Sequence, residues 1–313
     1  MNLIIYHQIR PSVDCGDGVT AAWVADRSFR KLKIEFDILG CCYQSEPPNV
    51  SDYNNIFVLD FSFPRSVITD WLESGKTVSI IDHHKTALEN LGDISTFSDR
   101  FRLKFDLLES GATLAWRQFN VFNGDEPPAF LEYVRDRDLW NHALPMTEEI
   151  HEAFANMRYE IKKTAELTGI PSRELIFAAF DYLATLSQEQ LIALMGDRGF
   201  ELLKPKRYSI AMAARRMNYQ TLPPITDGYF THTPIPVVVL AEDGSEDRLI
   251  SDICSTLYKD IPQVSFVACV SNDGENWSLR SDKNGSNFDV SEVAKLYGGG
   301  GHCNSAGFKV GSQ

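Results

Sequence analysis

The stretch Thr77-Val-Ser-Ile-Ile-Asp82-His83-His84 decides how the rest of the chain is read. Its first five residues form an apolar, β-branched run that suits a strand covered on both faces, and it stops on three side chains able to bind a proton or a cation. Similar runs lie upstream at Leu3–His7, Ile34–Gly40 and Ile56–Phe61, the first closing on His7 and the third carrying Asp60 at its end. Amphipathic stretches of helical length, Thr20–Leu32 and Pro64–Ser74, separate them, the second opening with a proline at a permitted first-turn position. Strand, helix and strand in alternation predict an α/β fold built on a largely parallel sheet. In such a sheet all carboxyl ends point to one edge, so His7, Asp60, Asp82, His83 and His84 are expected to meet in one crevice.

Further helices are expected at Ala112–Phe122 and Pro128–Arg137. From Thr147 to about Asn218 there is no strand-like run, and Leu175, Ile176, Ala179, Phe180 and Leu183 follow helical spacing. Strand patterns return in PIPVVVLA, VSFVACV, NWSLRS and AGFKV, with a helix at Arg248–Tyr258 and a turn at Asn272–Gly274. The expected organisation is a parallel-sheet metal-binding domain over residues 1–146, a helical connector over 147–222 and a smaller C-terminal α/β domain over 223–313. The connector is read either as a hinge or as a homodimer surface.

The 313 residues carry 30 Lys and Arg against 43 Asp and Glu, a net charge of −13. A protein held to duplex nucleic acid by phosphate neutralisation needs a basic face, so that class is excluded. Anionic substrates are not, because bound cations invert the sign of an acidic site. The six cysteines, Cys15, Cys41, Cys42, Cys254, Cys269 and Cys303, show neither a C-x-x-C pair nor regular spacing and read as reduced thiols. No window approaches the run of about 18 apolar residues that spans a bilayer, and MNLIIYHQIR is too short in apolar residues for a signal sequence. A soluble, cytoplasmic protein without a membrane partner is expected.

Carboxylates crowded at one strand edge repel one another unless a divalent cation neutralises them. Asp and His without a matched cysteine set favour borderline metals such as Mn²⁺, Co²⁺ or Zn²⁺. If two ions sit about 3.5–4 Å apart, a carboxylate must bridge them, and Asp60, between the other clusters in sequence order, is the natural bridge.

Asp82-His83-His84 after an apolar strand, preceded by VLDFS and followed by YVRDRDLW, together with GGGGHCNSAGF at Gly298–Phe308, resembles the DHH phosphoesterase family with its DHH-associated C-terminal domain. The likeness covers nearly the whole chain. It implies a bimetal site whose ligands, carried over by motif, are His7, Asp14, Asp17, Asp60, His83 and Asp136, with Cys15 the alternative to Asp14, which is preferred because oxygen ligands suit Mn²⁺, and Asp138 the alternative to Asp136. It further implies that Asp82 orients the metal-bound imidazole and that His84 faces the substrate phosphate. The chain departs from the family in its first motif. Two Asp one residue apart, just before a glycine, are expected there; the sequence instead has Asp14-Cys15-Gly16-Asp17, and more residues separate it from His7.

The run Gly298–Gly301 can turn successive N–H groups toward an anion, so Gly299, Gly300, Gly301 and His302 are candidate substrate contacts, with Arg280 and Asn304. The basic stretch Lys204–Arg216 reads as a solvated helix face, and Trp116, Trp140 and Trp277 as packing residues. The activity implied is Mn²⁺-dependent hydrolysis of very short oligonucleotides, such as linear dinucleotides, by a hydroxide bridging two ions, with Co²⁺ or Mg²⁺ as other ions. Alternatives are another small phosphate substrate (polyphosphate, a 3′-phosphonucleotide or a cyclic dinucleotide) or a nucleotide-binding module with impaired catalysis.

Overall fold

A computed structural model describes residues 1–43, 45–94, 98–119, 126–224, 232–282 and 288–310. The chain divides into two units, Met1–Leu203 and Lys204–Gln313.

The first unit is built on a parallel sheet in the order β3 (Phe36–Cys41), β1 (Asn2–Arg10), β4 (Asn55–Leu59), β5 (Thr77–Asp82), β6 (Phe101–Phe105). A short strand, β2 (Val13–Asp14), turns back antiparallel onto the end of β1. Alternation along β1 sends Ile4 and Tyr6 into one core and Leu3 and Ile5 into another on the opposite face. That two-sided burial is why the strands read as continuous apolar runs. The strand β6, whose sequence FRLKF alternates charged and apolar residues, ends the sheet. Its Arg102 and Lys104 broke the apolar pattern, so it has no counterpart among the strands expected from sequence.

One core forms where α1 (Gly16–Lys31) packs with α4 (Gly111–Phe119) and α5 (Ala129–Asp138). Ala21, Ala22 and Ala25 of α1 are fully buried, and Trp23 lies against Trp116, Phe130 and Phe180 while its indole N–H donates to Asp181 at 3.0 Å. Phe180 belongs to α7 (Ser172–Leu183), and Phe154 of α6 (Thr147–Thr168) stacks on it. Both helices, expected in a connector, thus pack as part of the first unit: periodicity finds an apolar stripe and does not say what covers it. The second core, under α2 (Arg65–Glu73) and α3 (Lys85–Leu91), gathers Phe61, Ile68, Trp71 and Leu91.

The helix α8 (Gln188–Ala214) carries the chain into the second unit. There the sheet order is β11 (Gly300–His302), β12 (Ser305–Lys309), β10 (Asn276–Arg280), β9 (Val267–Val270), β8 (Ile235–Val239), β7 (Asn218–Gln220). Of these described strands only β8 and β9 pair in parallel; α9 (Ile250–Asp260) is the crossover between them, and α10 (Val290–Leu296) packs with β12. The chain is α/β throughout, as expected. Among the described residues no helix is long and apolar enough to cross a membrane, and Trp116 and Trp277 are buried.

Trp23→Ala removes a large side chain that four elements share. Its expected cost is about 3–5 kcal/mol, read as a lowered midpoint in a denaturant titration of the whole chain.

Candidate metal centre

Four chain ends meet at the carboxyl edge of the first sheet: those of β1, β4 and β5 and the start of α1. They bring two triads of donor atoms together, His7 with Cys15 and Asp60, and Asp17 with Asp60 and His83, each with all its atoms within 4.8 Å of one another. Asp60 belongs to both, the position expected of a bridging ligand. His83 Nε2 lies 3.1 Å from Asp60 Oδ1, 3.5 Å from Asp138 Oδ2 and 3.7 Å from Asp17 Oδ2. Asp60 has a backbone φ of 65°, a conformation rare outside glycine, and its N–H donates to the Ile81 carbonyl at 2.9 Å. Gly111 closes over it; a Cβ there would lie 2.6 Å from the Asp60 Cβ. Asp17 also caps α4, accepting from the N–H groups of Gly111 and Ala112.

The first motif is resolved by a hairpin. Strand β1 runs on past His7 to Arg10, turns at Ser12 (φ 66°), and β2 returns so that Asp14 pairs with Gln8. The extra residues are therefore folded out, and Cys15, one residue on, stands beside His7 and Asp60. Asp14 is drawn elsewhere: its carboxylate accepts from Tyr6 Oη (2.9 Å) and Gln8 Nε2 (2.8 Å) and pairs with Lys162 at 2.8 Å. These partners outweigh burial and hold its pKa below the usual range. Asp14, the ligand expected from the sequence, is thus held by other partners, and the structure brings its alternative Cys15 to His7 and Asp60.

The RDRD stretch is resolved likewise. Asp136, the better motif match, accepts from Ala143 N (3.0 Å), Leu144 N (3.1 Å) and Thr147 Oγ1, so it ties the end of α5 to the following loop. Asp138 points at His83. Asp82 also differs from expectation. Its Oδ1 contacts His84 Nδ1 at 2.6 Å and accepts from the N–H groups of His83 and His84, so it fixes the ring of His84 rather than that of His83. Tyr43, absent from the sequence reading, stands edge-on to His7 and His84 with ring centroids 5.1 and 5.9 Å away and is 46% exposed. It sits just beyond β3, where no motif marks it.

The electrostatics fit a cation. Burial, with the charges of Asp60 and Asp138, pushes Asp17 well above the ordinary carboxylate range. Burial would lower His83, but its hydrogen bond to Asp60 and the charges of Asp138, Asp60 and Asp17 push it up to about 10. Asp60 is held well below the usual range despite its burial, by His7 and His83. Its Oδ2 and the Nδ1 of His7, both buried, lie 3.4 Å apart with no hydrogen-bond partner on either atom. A buried imidazole nitrogen and a buried carboxylate oxygen facing one another suit a divalent ion.

The second unit uses its glycines differently from the expected anion nest. The N–H groups of Gly298 and Gly299 donate to Lys295 and Ala294 and close α10. Gly300–His302 pair with Ser305–Gly307, and a Cβ at Gly299 would lie 2.1 Å from the Gly307 carbonyl. Arg280 bonds Ser251 Oγ through Nε and Nη2 and the Leu279 carbonyl through Nη1, and Asn304 donates to Ser281.

Asp136→Ala is expected to cost about 1–3 kcal/mol in unfolding free energy while leaving the number of bound ions unchanged. Asp138→Asn is expected to weaken metal binding with little loss of stability. Metal titration and denaturation of the two variants, side by side, check the pair.

No protein-family model matches the sequence. The chain is 25% identical over 255 residues to oligoribonuclease NrnB of Bacillus subtilis (strain 168), covering 78% of this chain and 55% of that protein. Among solved structures, RecJ of Thermus thermophilus in complex with Mn²⁺ aligns with 99% of this chain and 49% of its own at a TM-score of 0.52 and 15% identity. A DHH domain from a protein described as one of a family of ribosomal proteins aligns with 98% and 82% of the two chains at a TM-score of 0.52 and 13% identity. The chain thus spans about half the length of NrnB and of RecJ. Its fold is that of these DHH proteins, and the triplet Asp82-His83-His84 stands at the end of β5, as the sequence predicts.

Proposed function

We propose that the chain is a metal-dependent phosphoester hydrolase acting on very short oligonucleotides, with linear dinucleotides as the preferred class. The observation that carries the reading is the pair of donor triads joined at Asp60. Two divalent cations held there, Mn²⁺ in the first instance, would supply an activated water and neutralise the charge that develops on phosphate. In this reading His7, Cys15 and Asp60 hold one ion, and Asp17, Asp60, His83 and Asp138 the other. His84, fixed by Asp82, is assigned to the substrate phosphate. Tyr43 offers a face on which one base can stack.

Three lines support the substrate class. NrnB, the relative above, bears the name oligoribonuclease. The net charge of −13 disfavours a long basic groove. The exposed ring of Tyr43 stands beside His84. A second reading, a nucleotide-binding module with impaired catalysis, draws on Cys15 standing where the family likeness calls for aspartate.

A side-by-side assay with Mn²⁺ of a labelled dinucleotide, polyphosphate, a 3′-phosphonucleotide and a cyclic dinucleotide separates the substrates. Turnover fastest on the linear dinucleotide is expected; consumption of polyphosphate with the dinucleotide intact would overturn the assignment. Asp60→Asn is expected to abolish turnover and lower the number of ions held, whereas an unchanged rate excludes the bridging role. Tyr43→Ala is expected to raise KM for the dinucleotide roughly tenfold, in line with about 1–3 kcal/mol per stacked base. His302→Ala should raise KM and leave ion stoichiometry as it is.

A further inference from the structure

The two halves of the metal centre differ in chemistry. Asp17, His83 and Asp138 offer oxygen and nitrogen atoms only, while the His7 half includes sulfur. Cys15 is the N-cap residue of α1, at the point where the helix start meets the end of β1. Its Sγ lies within 4.8 Å of ligand atoms of both His7 and Asp60.

A cysteine in a helix N-cap would not by itself make a site. Here a second observation points to a ligand. The Asp60 side chain is 1% exposed, and its Oδ2 faces His7 Nδ1 at 3.4 Å with neither atom hydrogen-bonded. Sulfur, nitrogen and oxygen therefore converge on one point. The Arg158 guanidinium reaches the Asp14 carbonyl at 3.3 Å and lies 3.3 Å from the Cβ position of Gly16, so a partly buried cation borders the backbone on both sides of Cys15. Gly18 lets α1 press on β1 at this point; a Cβ there would lie 2.5 Å from the His7 carbonyl.

We propose that Cys15 is a metal ligand, making the His7–Cys15–Asp60 position a mixed nitrogen, sulfur and oxygen site that selects a borderline-soft cation, Zn²⁺ or Co²⁺, over Mn²⁺. The centre is then asymmetric, with the harder ion confined to the Asp17–His83–Asp138 side. On coordination the Cys15 S–H bond is replaced by a metal–sulfur bond and its proton passes to solvent. This inference rests on the metal-centre reading above and refines the identity of one ion.

The test is optical and analytical, and does not rely on activity. Metal-free full-length protein is titrated with Co²⁺ under anaerobic conditions, and bound cobalt is counted by elemental analysis. Wild-type protein is expected to show a near-ultraviolet thiolate-to-cobalt charge-transfer band along with visible ligand-field bands. The charge-transfer band should vanish in Cys15→Ser and Cys15→Asp, and persist in Cys303→Ser, which alters an exposed cysteine. Cys15→Asp should keep the full cobalt count and shift competition between Zn²⁺ and Mn²⁺ toward Mn²⁺. Bound Co²⁺ with ligand-field bands but no charge-transfer band, or a band that survives Cys15→Ser, overturns the thiolate assignment alone. Failure of the wild-type chain to bind Co²⁺ at all overturns the metal-centre reading and this one with it.

Discussion

The carboxylate of Asp60 is the constraint around which the first unit is arranged. Its residue leaves β4 with a φ of 65°, a conformation that typically costs about 1–3 kcal/mol outside glycine. The backbone is held in it by a bond to the carbonyl of Ile81 on the neighbouring strand and by the bare face of Gly111 pressed on its Cβ. The strain turns the side chain out of the sheet edge and into reach of His7 on one side and His83 on the other. That turn is what lets the two triads share Asp60, its Oδ2 toward His7 and its Oδ1 toward His83. The same few ångströms anchor α4, since Asp17 both faces His83 and caps the helix whose first residue is Gly111.

Such a cluster sets its own electrostatic terms. Three carboxylates around one imidazole force protons to redistribute: Asp17 is pushed up by burial and its acidic neighbours, and His83 up by its acidic neighbours. Buried charges left to themselves cost several kcal/mol each, and an ion of charge +2 relieves Asp17, Asp60 and Asp138 together. Metal uptake in such an arrangement is coupled to the stability of the sheet edge, because the ligands sit at the ends of β1, β4 and β5 and the start of α1.

Much of this was legible in the sequence. The parallel sheet followed from the apolar runs, and His7, Asp60 and Asp82-His83-His84 from their positions at strand ends, which topology alone carries to one edge. What was not legible depended on contacts made far along the chain. Asp136 and Asp138 are two residues apart and so point about 200° apart around α5; which of them faces His83 is decided by the N–H groups of Ala143 and Leu144 and the hydroxyl of Thr147, which claim Asp136. The helices α6 and α7 looked like a connector because an amphipathic stripe does not name its partner, which proves to be the core around Trp23. The glycine run at Gly298–Gly301 has a structural cause that its composition hid: α10 ends on it and β12 passes too close for any Cβ at Gly299.

The hairpin after His7 shows how a sequence can lengthen a metal-binding motif without dismantling it. The residues after His7 leave the site and return to it as a paired strand, so the position after the hairpin stands beside His7. Asp14 is what makes the return stable. It binds Tyr6 and Gln8 of β1 and Lys162 of α6, fastening the hairpin on two sides. Asp14 gives three acceptor positions to this clasp, and the residue that stands with His7 and Asp60 is Cys15. The chain therefore meets the site one residue later, and at that residue stands Cys15. The hairpin and the place of the thiol are in this sense one feature: the returning strand fastens Asp14 to β1 and α6 and leaves Cys15 beside His7 and Asp60.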